Sequence, residues 1–213
     1  GKDANRFTRG HRYMGEQHCS VNHANDYEAL LSAEKVQVNF QQRRDQILNQ
    51  LELEATRLGG VLTKDEALLD EVTGLVEGPV DLSGTFAASF LDVPEEALIS
   101  AMREHQRYFH IRNKNAALLP HFLTVTNIES LDPPTIIKGN ERVITPRLTD
   151  AAFFYNKDIA SPLDERLQKL GNVVFQNELG SFLDKANRIS ALAGFIATAI
   201  GIDPEPARRA GLL

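Results

Sequence analysis

Cys19 stands beside His18, and that pair is the first place to look for covalent chemistry. A thiol attacks as its thiolate and needs a base within hydrogen-bond reach. Adjacency along a chain supplies no such geometry, and no Gly-x-Ser-x-Gly elbow offers a serine in its place. His11, His18 and His23 fall within 13 residues, but their spacings match no helix face of the His-x-x-x-His kind, and no His-Asp dipeptide occurs. Loop and surface histidines are therefore expected, not metal ligands. Neither Gly-x-Gly-x-x-Gly nor Gly-x-x-x-x-Gly-Lys-Ser/Thr is present, and Gly59-Gly60 reads as a helix stop. No catalytic, cofactor-binding or metal-ligating residue is expected on this chain.

Three basic groups remain, and their chemistry is electrostatic. In Arg9-Gly10-His11-Arg12, a glycine lets backbone approach a partner closely with cations on either side. Arg103-Glu104-His105-Gln106-Arg107-Tyr108-Phe109 interleaves charge with aromatic rings, a combination suited to stacking on bases and pairing with phosphates. Lys138, Arg142 and Arg147 follow at spacings of four and five on a presumed helix, near one side of it, with Asn140 and Glu141 beside them. The candidate RNA contacts are Arg9, His11, Arg12, His105, Arg107, Tyr108, Lys138, Arg142 and Arg147, with His105 and Tyr108 as the stacking groups. Solvated helix faces and internal ion pairs are the competing explanation for the same residues.

The elements that must position these groups belong to an ordinary globular chain. It has 213 residues, 42% hydrophobic and 24% charged, which suits one large domain or one domain and part of another. The net charge of −6 argues against a non-specific polyanion binder but leaves room for a local basic face. A single cysteine excludes an internal disulfide and fits a reducing cytosol, so a cytoplasmic location is expected. No apolar run approaches the roughly 20 residues of a membrane helix. Both ends read as cuts within a longer chain.

From the start, Phe7 to Val21 reads as irregular or strand-like, Tyr27 to Ser32 as a short helix, and Val36-Gln37-Val38 as a brief strand or part of a helix. A charged amphipathic helix follows over about Phe40 to Leu58, with Ile47, Leu48, Leu51 and Ala55 inward. Thr63, with Glu66 three residues on, reads as a capping box, opening a helix whose apolar face is Ala67, Leu68, Val72, Leu75 and Val76. Val80 to Phe86 alternates like a strand, and Pro94 opens a helix burying Leu98, Ile99 and Met102. Tyr108 to Ile111 and Phe122 to Thr126 read as paired strands joined around Asn113 to Asn115. Pro133-Pro134 reads as a break. Helices alone are expected after it, at Ile136 to about Lys157, Leu163 to Leu170, Ser181 to Ile200, and from Pro204 onward. The fold class expected is α+β followed by a helical region lacking partner helices.

Several strings, taken in order, resemble a known family. They are Arg9-Gly10-His11-Arg12-Tyr13, Leu75-Val76-Glu77-x-Pro79-Val80, His105-Gln106-Arg107-Tyr108-Phe109 and Asn127-Ile128-Glu129-Ser130. Further on come Gly139-Asn140-Glu141-Arg142-Val143, Arg147-Leu148-x-Asp150-Ala151-x-Phe153-Phe154 and Phe175-Gln176-x-x-Leu179-Gly180. The set is similar to the β subunit of the bacterial heterotetrameric glycine–tRNA ligase, over essentially the whole chain, which would then be an internal fragment. The resemblance implies a mixed α/β module at 1–160 like the B3/B4 module of phenylalanine–tRNA ligase, then the start of a truncated, all-helical HD-like region at 161–213. It further implies an α2β2 assembly in which ATP, Mg and glycine chemistry lie on the α subunit. The β subunit would contribute tRNA recognition and subunit scaffolding, without a catalytic centre of its own. The partners implied are that α subunit and glycine tRNA, with no membrane.

Gly78 departs from the family pattern, which has tryptophan between Glu77 and Pro79, so a smaller core or an altered groove is expected there. The HD-like region also ends before any metal-binding histidine. Two rival functions stay open: an editing hydrolase of misacylated tRNA, which lacks a visible nucleophile, and a purely structural spacer between domains.

Overall fold

A computed structural model describes residues 5–213. By internal packing the chain divides into two units, the first ending at Ala152 and the second comprising Phe153–Leu213.

The first unit is organised on a four-stranded antiparallel sheet. Its strands are β3 (Val61–Leu62), β4 (Val80–Thr85), β5 (Phe109–Arg112) and β6 (Leu118–Thr126), in the order β3-β5-β6-β4. Ahead of it lie a minimal pair, β1 (Phe7–Thr8) and β2 (Cys19–Ser20), and the helices α1 (Tyr27–Ala33) and α2 (Phe40–Arg57). Helices α3 (Glu66–Leu75), α4 (Glu95–Gln106) and α5 (Pro133–Ile159) complete the set.

Alternation along β5 and β6 divides the sheet into two dry faces. Phe109, Ile111 and Leu123 point to one side, where they meet Ile47, Leu51 and Ala55 of α2 and Leu68, Leu69 and Val72 of α3 in a single buried cluster. Ile47, Leu51 and Ala55 recur every fourth residue, so the inward face read from the periodicity of α2 is the one buried. The opposite side presents Tyr108 and Phe122, whose rings stack at 4.4 Å and 12°. Arg112 on that side pairs with Glu95 of α4 at 2.7 Å. Leu98 and Met102 of α4 and Ile144 and Leu148 of α5 are fully buried. Gly84 of β4 lies under the Phe122 ring, where an added Cβ would come within 2.3 Å of its Cζ. Only glycine lets the ring settle that close to the strand.

Several expectations need correction. Val36 to Val38 forms neither strand nor helix. Its carbonyls are taken up instead by Arg43, whose Nη1 donates to Gln37 O and Val38 O. The cap of α3 is Asp65, accepting from the Leu68 N–H at 2.9 Å, and not Thr63. Ala67 and Leu75 face solvent while Leu69 and Thr73 are buried. Pro133-Pro134 begins α5 where a missing N–H goes unnoticed, and does not break the chain ahead of it. Strand β3 has no expectation behind it, and two residues carry no readable period.

In the second unit, α6 (Leu163–Leu170) precedes β7 (Val174–Gln176) and β8 (Gly180–Ser181), followed by α7 (Phe182–Ala199) and α8 (Pro204–Leu212). The antiparallel β7–β8 pair overturns the expectation of an all-helical region. Asn177 to Leu179 turn the chain between the strands, with Leu179 N donating to Gln176 O at 3.0 Å, and Phe182 N donates back to Val173 O at 2.9 Å, closing a hairpin that helical periodicity does not reveal. The division at 152/153 falls inside α5, ahead of the 160/161 boundary expected from sequence.

Candidate nucleic-acid interface

The segment joining β1 to β2 is tightly folded. Gly10 N donates to Glu16 O at 2.8 Å, His11 N to Glu34 O at 2.9 Å, and Gly15 N to His11 O at 2.9 Å. A Cβ on Gly10 would approach Glu34 Cβ to 2.6 Å, so the glycine serves close packing inside the protein and not approach to an external partner. His11 is fully buried, and its Nδ1 accepts from the backbone N–H groups of Tyr13 and Met14, both at 3.3 Å. Its ring therefore holds this turn and cannot meet RNA. Arg9 and Arg12 are exposed and make no ion pair among the described residues. The Arg12 guanidinium carbon lies 5.4 Å from the Tyr13 ring centroid.

The second group is mostly absorbed by the fold. Arg107 ends α4 in the left-handed region, with φ of 59°, and its N–H donates to Arg103 O at 3.2 Å. Its guanidinium reaches Glu71 at 2.5 Å and the Glu104 carbonyl. Arg103 pairs with Asp65 at 2.6 Å, and that pair and the Leu68 N–H hold the Asp65 carboxyl low against the burial that pushes it up. Tyr108 is buried against Phe122, its hydroxyl donates to Asn140 Oδ1 at 2.5 Å, and burial pushes its phenol up to about 12. A ring so enclosed cannot stack on a base. Of the cationic and aromatic residues of this group, His105 alone is exposed.

On α5 the geometry separates the three cations. Lys138 and Arg142 are one turn apart and share a strip, but nine residues at about 100° each put Arg147 roughly 180° from Lys138. The expectation of a single basic side holds for the first two only. All three are exposed and unpaired among the described residues. Between them, Asn140 accepts from Tyr108, and Glu141 Oε1 accepts from both Thr85 N and Thr85 Oγ1 at 2.9 Å. These three bonds tie α5 to the sheet unit and fix which way Lys138 and Arg142 face.

Other motif residues join the strings to one another. Asn127 Oδ1 accepts from Glu77 N at 2.7 Å and Gly78 N at 3.0 Å, and Glu129 N donates to Met14 Sδ at 3.1 Å. Beside them lies an open groove of about 250 Å³ lined by Met14, Lys35, Gln37, Gly78, Pro79 and Glu129. A Cβ at Gly78 would stand 2.7 Å from the Lys35 carbonyl oxygen, so a tryptophan there requires the Lys35 backbone to move.

Periodicity gave no sign of a polar cluster between α2 and the sheet. Ser83 Oγ donates to Glu54 Oε1 at 2.5 Å, and the Arg57 guanidinium holds the Glu54 carboxyl low. A carboxylate so held is a poor base for activating Ser83. Burial pushes the neighbouring Asp81 up and His121 down. Cys19 is buried, with its thiol directed at the Glu16 carbonyl. No group of three or more His, Cys, Asp or Glu suited to a metal ion occurs among the described residues. No described helix is long and apolar enough to cross a membrane.

The exposed aromatics Phe7 and Tyr13 went unselected in the sequence. Each directly follows an arginine in a stretch with no helical or strand period, and that was the available signal. With this arrangement established, comparison with known proteins identifies the lineage. The sequence matches the family model for the glycyl-tRNA synthetase beta subunit over residues 1–213. It is 49% identical over 214 residues to the glycine–tRNA ligase beta subunit of Sodalis glossinidius, covering 100% of this chain and 31% of that protein. The Coxiella burnetii (strain Dugway 5J108-111) subunit of the same name gives 49% identity with the same coverage. That of Tolumonas auensis gives 49% over 209 residues, 98% of this chain and 30% of the relative. The chain thus spans about a third of the length of these relatives, and it belongs to the glycyl-tRNA synthetase beta subunit family.

Proposed function

We propose that this chain is a tRNA-facing and scaffolding segment of a cytoplasmic glycine–tRNA ligase of α2β2 form, in which the attachment of glycine is carried out on the α subunit. Residues 1–160 serve as the B3/B4-like module and residues 161–213 as the start of an HD-like domain. The observation that carries the RNA assignment is the exposed Lys138–Arg142 strip, held outward by the Asn140 and Glu141 clamps. Arg9 and Arg12 add a second cationic site. ATP and Mg do not fit the residues present: no phosphate-cradling glycine loop occurs in the sequence, and no described cluster suits a metal.

The test uses the assembled enzyme. Changing Lys138 and Arg142 together to alanine weakens tRNA binding. It also lowers the slope of log affinity against log salt by about one unit for each phosphate the protein no longer neutralises. Unchanged affinity and unchanged protection of the tRNA in footprinting would favour the spacer reading instead.

A further inference from the structure

We infer that the segment Arg6–His18 is a stacking platform for unpaired nucleotides of a single-stranded RNA stretch, an inference that rests on the tRNA-facing reading above. Two aromatic rings stand out from it, Phe7 at 61% and Tyr13 at 72% exposure. Large rings left in water cost hydration free energy, and here they sit on a segment that is firmly folded. Gly10 and Gly15 pack against Glu34, and His11 and Cys19 are buried beneath. Rings held this way lose little freedom on binding, which favours a partner with planar faces to offer.

The charge around the rings selects the partner. Arg6, Arg9 and Arg12 stand against one acid, Glu16, between residues 6 and 18, in a chain whose net charge is −6. Arg9 and Arg12 have no acidic partner among the described residues. The Arg12 guanidinium lies over one part of the Tyr13 ring, and Phe7 meets His18 in a T-shaped contact at 6.0 Å and 74°. The T-shaped contact takes at most one face of the Phe7 ring, and the Tyr13 ring, which also meets His11 at 6.4 Å and 54°, belongs to a residue that is still 72% exposed. Alternating cations and open aromatic faces are what a single strand offers its complement to: phosphates at backbone spacing, and bases that stack without regard to sequence. A protein docking surface would instead carry several aliphatic residues around the rings, and between residues 6 and 18 only the half-buried Met14 is aliphatic.

The platform is tested on the assembled α and β subunits, with a short unstructured RNA and intact tRNA as separate probes in an anisotropy titration. Tyr13→Ala and Phe7→Ala weaken the short RNA by about 5- to 100-fold each, with the salt slope unchanged, because stacking is not electrostatic. Tyr13→Phe and Tyr13→Trp retain binding. Arg12→Ala lowers the salt slope by about 0.7. Both aromatic positions are exposed, and an unchanged unfolding midpoint confirms intact variants. If neither alanine change weakens RNA while the Lys138/Arg142 double change weakens tRNA, the platform is wrong and the tRNA-facing reading stands. If none of these changes matters, both fall. If Tyr13→Ala instead loosens subunit assembly in sedimentation and leaves RNA binding intact, the patch docks protein and the platform is overturned.

Discussion

Phe122 and Phe195 are the same residue type on regular elements of this chain, and their fates are opposite. Phe122 is fully enclosed between Tyr108 and the glycine of β4, whereas Phe195 of α7 is 69% exposed. The contrast extends to the units that contain them. In the first, a sheet is covered on both faces, and its segments are tied by long-range side-chain bonds such as Asn127 to Glu77 and Glu141 to Thr85. In the second, the local rules are well satisfied. Ser181 and Asp184 form a reciprocal capping box, Asp203 caps α8, and Ser190 Oγ donates to the Arg208 carbonyl at 2.8 Å. Yet on α7 only Gly194 and Ala197 are buried. Capping and helix pairing make helices, but a core needs a second apolar layer.

The sharpest way to break that comparison is to remove the enclosed ring of the first unit. Phe122→Ala is expected to cost about 3–5 kcal/mol in urea unfolding, by lost transfer energy and the cavity left behind. A cost below about 1 kcal/mol would mean that the Tyr108–Phe122 side of the sheet is not a packed core.

Asn127→Ala comes next. It strips the acceptor from two backbone N–H groups at once, and at about 0.5–1.5 kcal/mol for each hydrogen bond the expected loss is about 1–3 kcal/mol. Asn127→Asp keeps an acceptor and should recover most of it. Equal losses in the two variants would show that the side chain acts by packing and not by bonding Glu77 and Gly78.

Tyr108→Phe deletes one buried hydrogen bond and keeps the stacked ring, so about 0.5–1.5 kcal/mol is expected at neutral pH. The alkaline limb sharpens the test. The folded phenol is raised from 10.0 to about 12, so between those values the unfolded chain has released a proton that the folded chain keeps. Stability from this group is complete below about pH 10 and is lost as pH rises towards 12. Tyr108→Phe should flatten that fall. A fall of the same steepness in the variant would assign it to other groups.

The amphipathic face of α2 was legible because burial there follows one helix period, and the pairing of β5 with β6 because two apolar runs flank the polar turn at Asn113 to Asn115. The fate of the candidate site residues depended on neighbours far along the chain, which no local pattern carries. His11 is buried because Glu34 packs on the glycines either side of it, and Tyr108 because Phe122 and Asn140 enclose it. Arg147 is a different case. Its position about the helix follows from spacing alone, and nine residues at about 100° already put it opposite Lys138. The hairpin β7–β8 escaped because its exposed residues have no alternation to detect.

The smallest expected effect bears on the bare face of α7. Leu192 and Phe195 are exposed at 59% and 69%, and Ile196 and Ile200 extend the same apolar stripe along the helix. The other side of α7 faces α8 through small residues: Ser190 bonds the Arg208 carbonyl, and the Arg208 side chain lies against Gly194. Replacing Leu192 and Phe195 by serine therefore leaves intact what holds α7 to α8. The change in unfolding free energy should stay within about 0.5 kcal/mol per substitution, as for other surface positions. Serine lowers helix propensity slightly and falls within the same margin. What should change is the binding of an apolar dye such as ANS, which needs contiguous apolar surface and should drop in the double variant. Dye binding that persists, with a stability that falls by several kcal/mol, would mean that these side chains are buried in solution. The contrast between the two units would then be one of packing partners and not of packing itself.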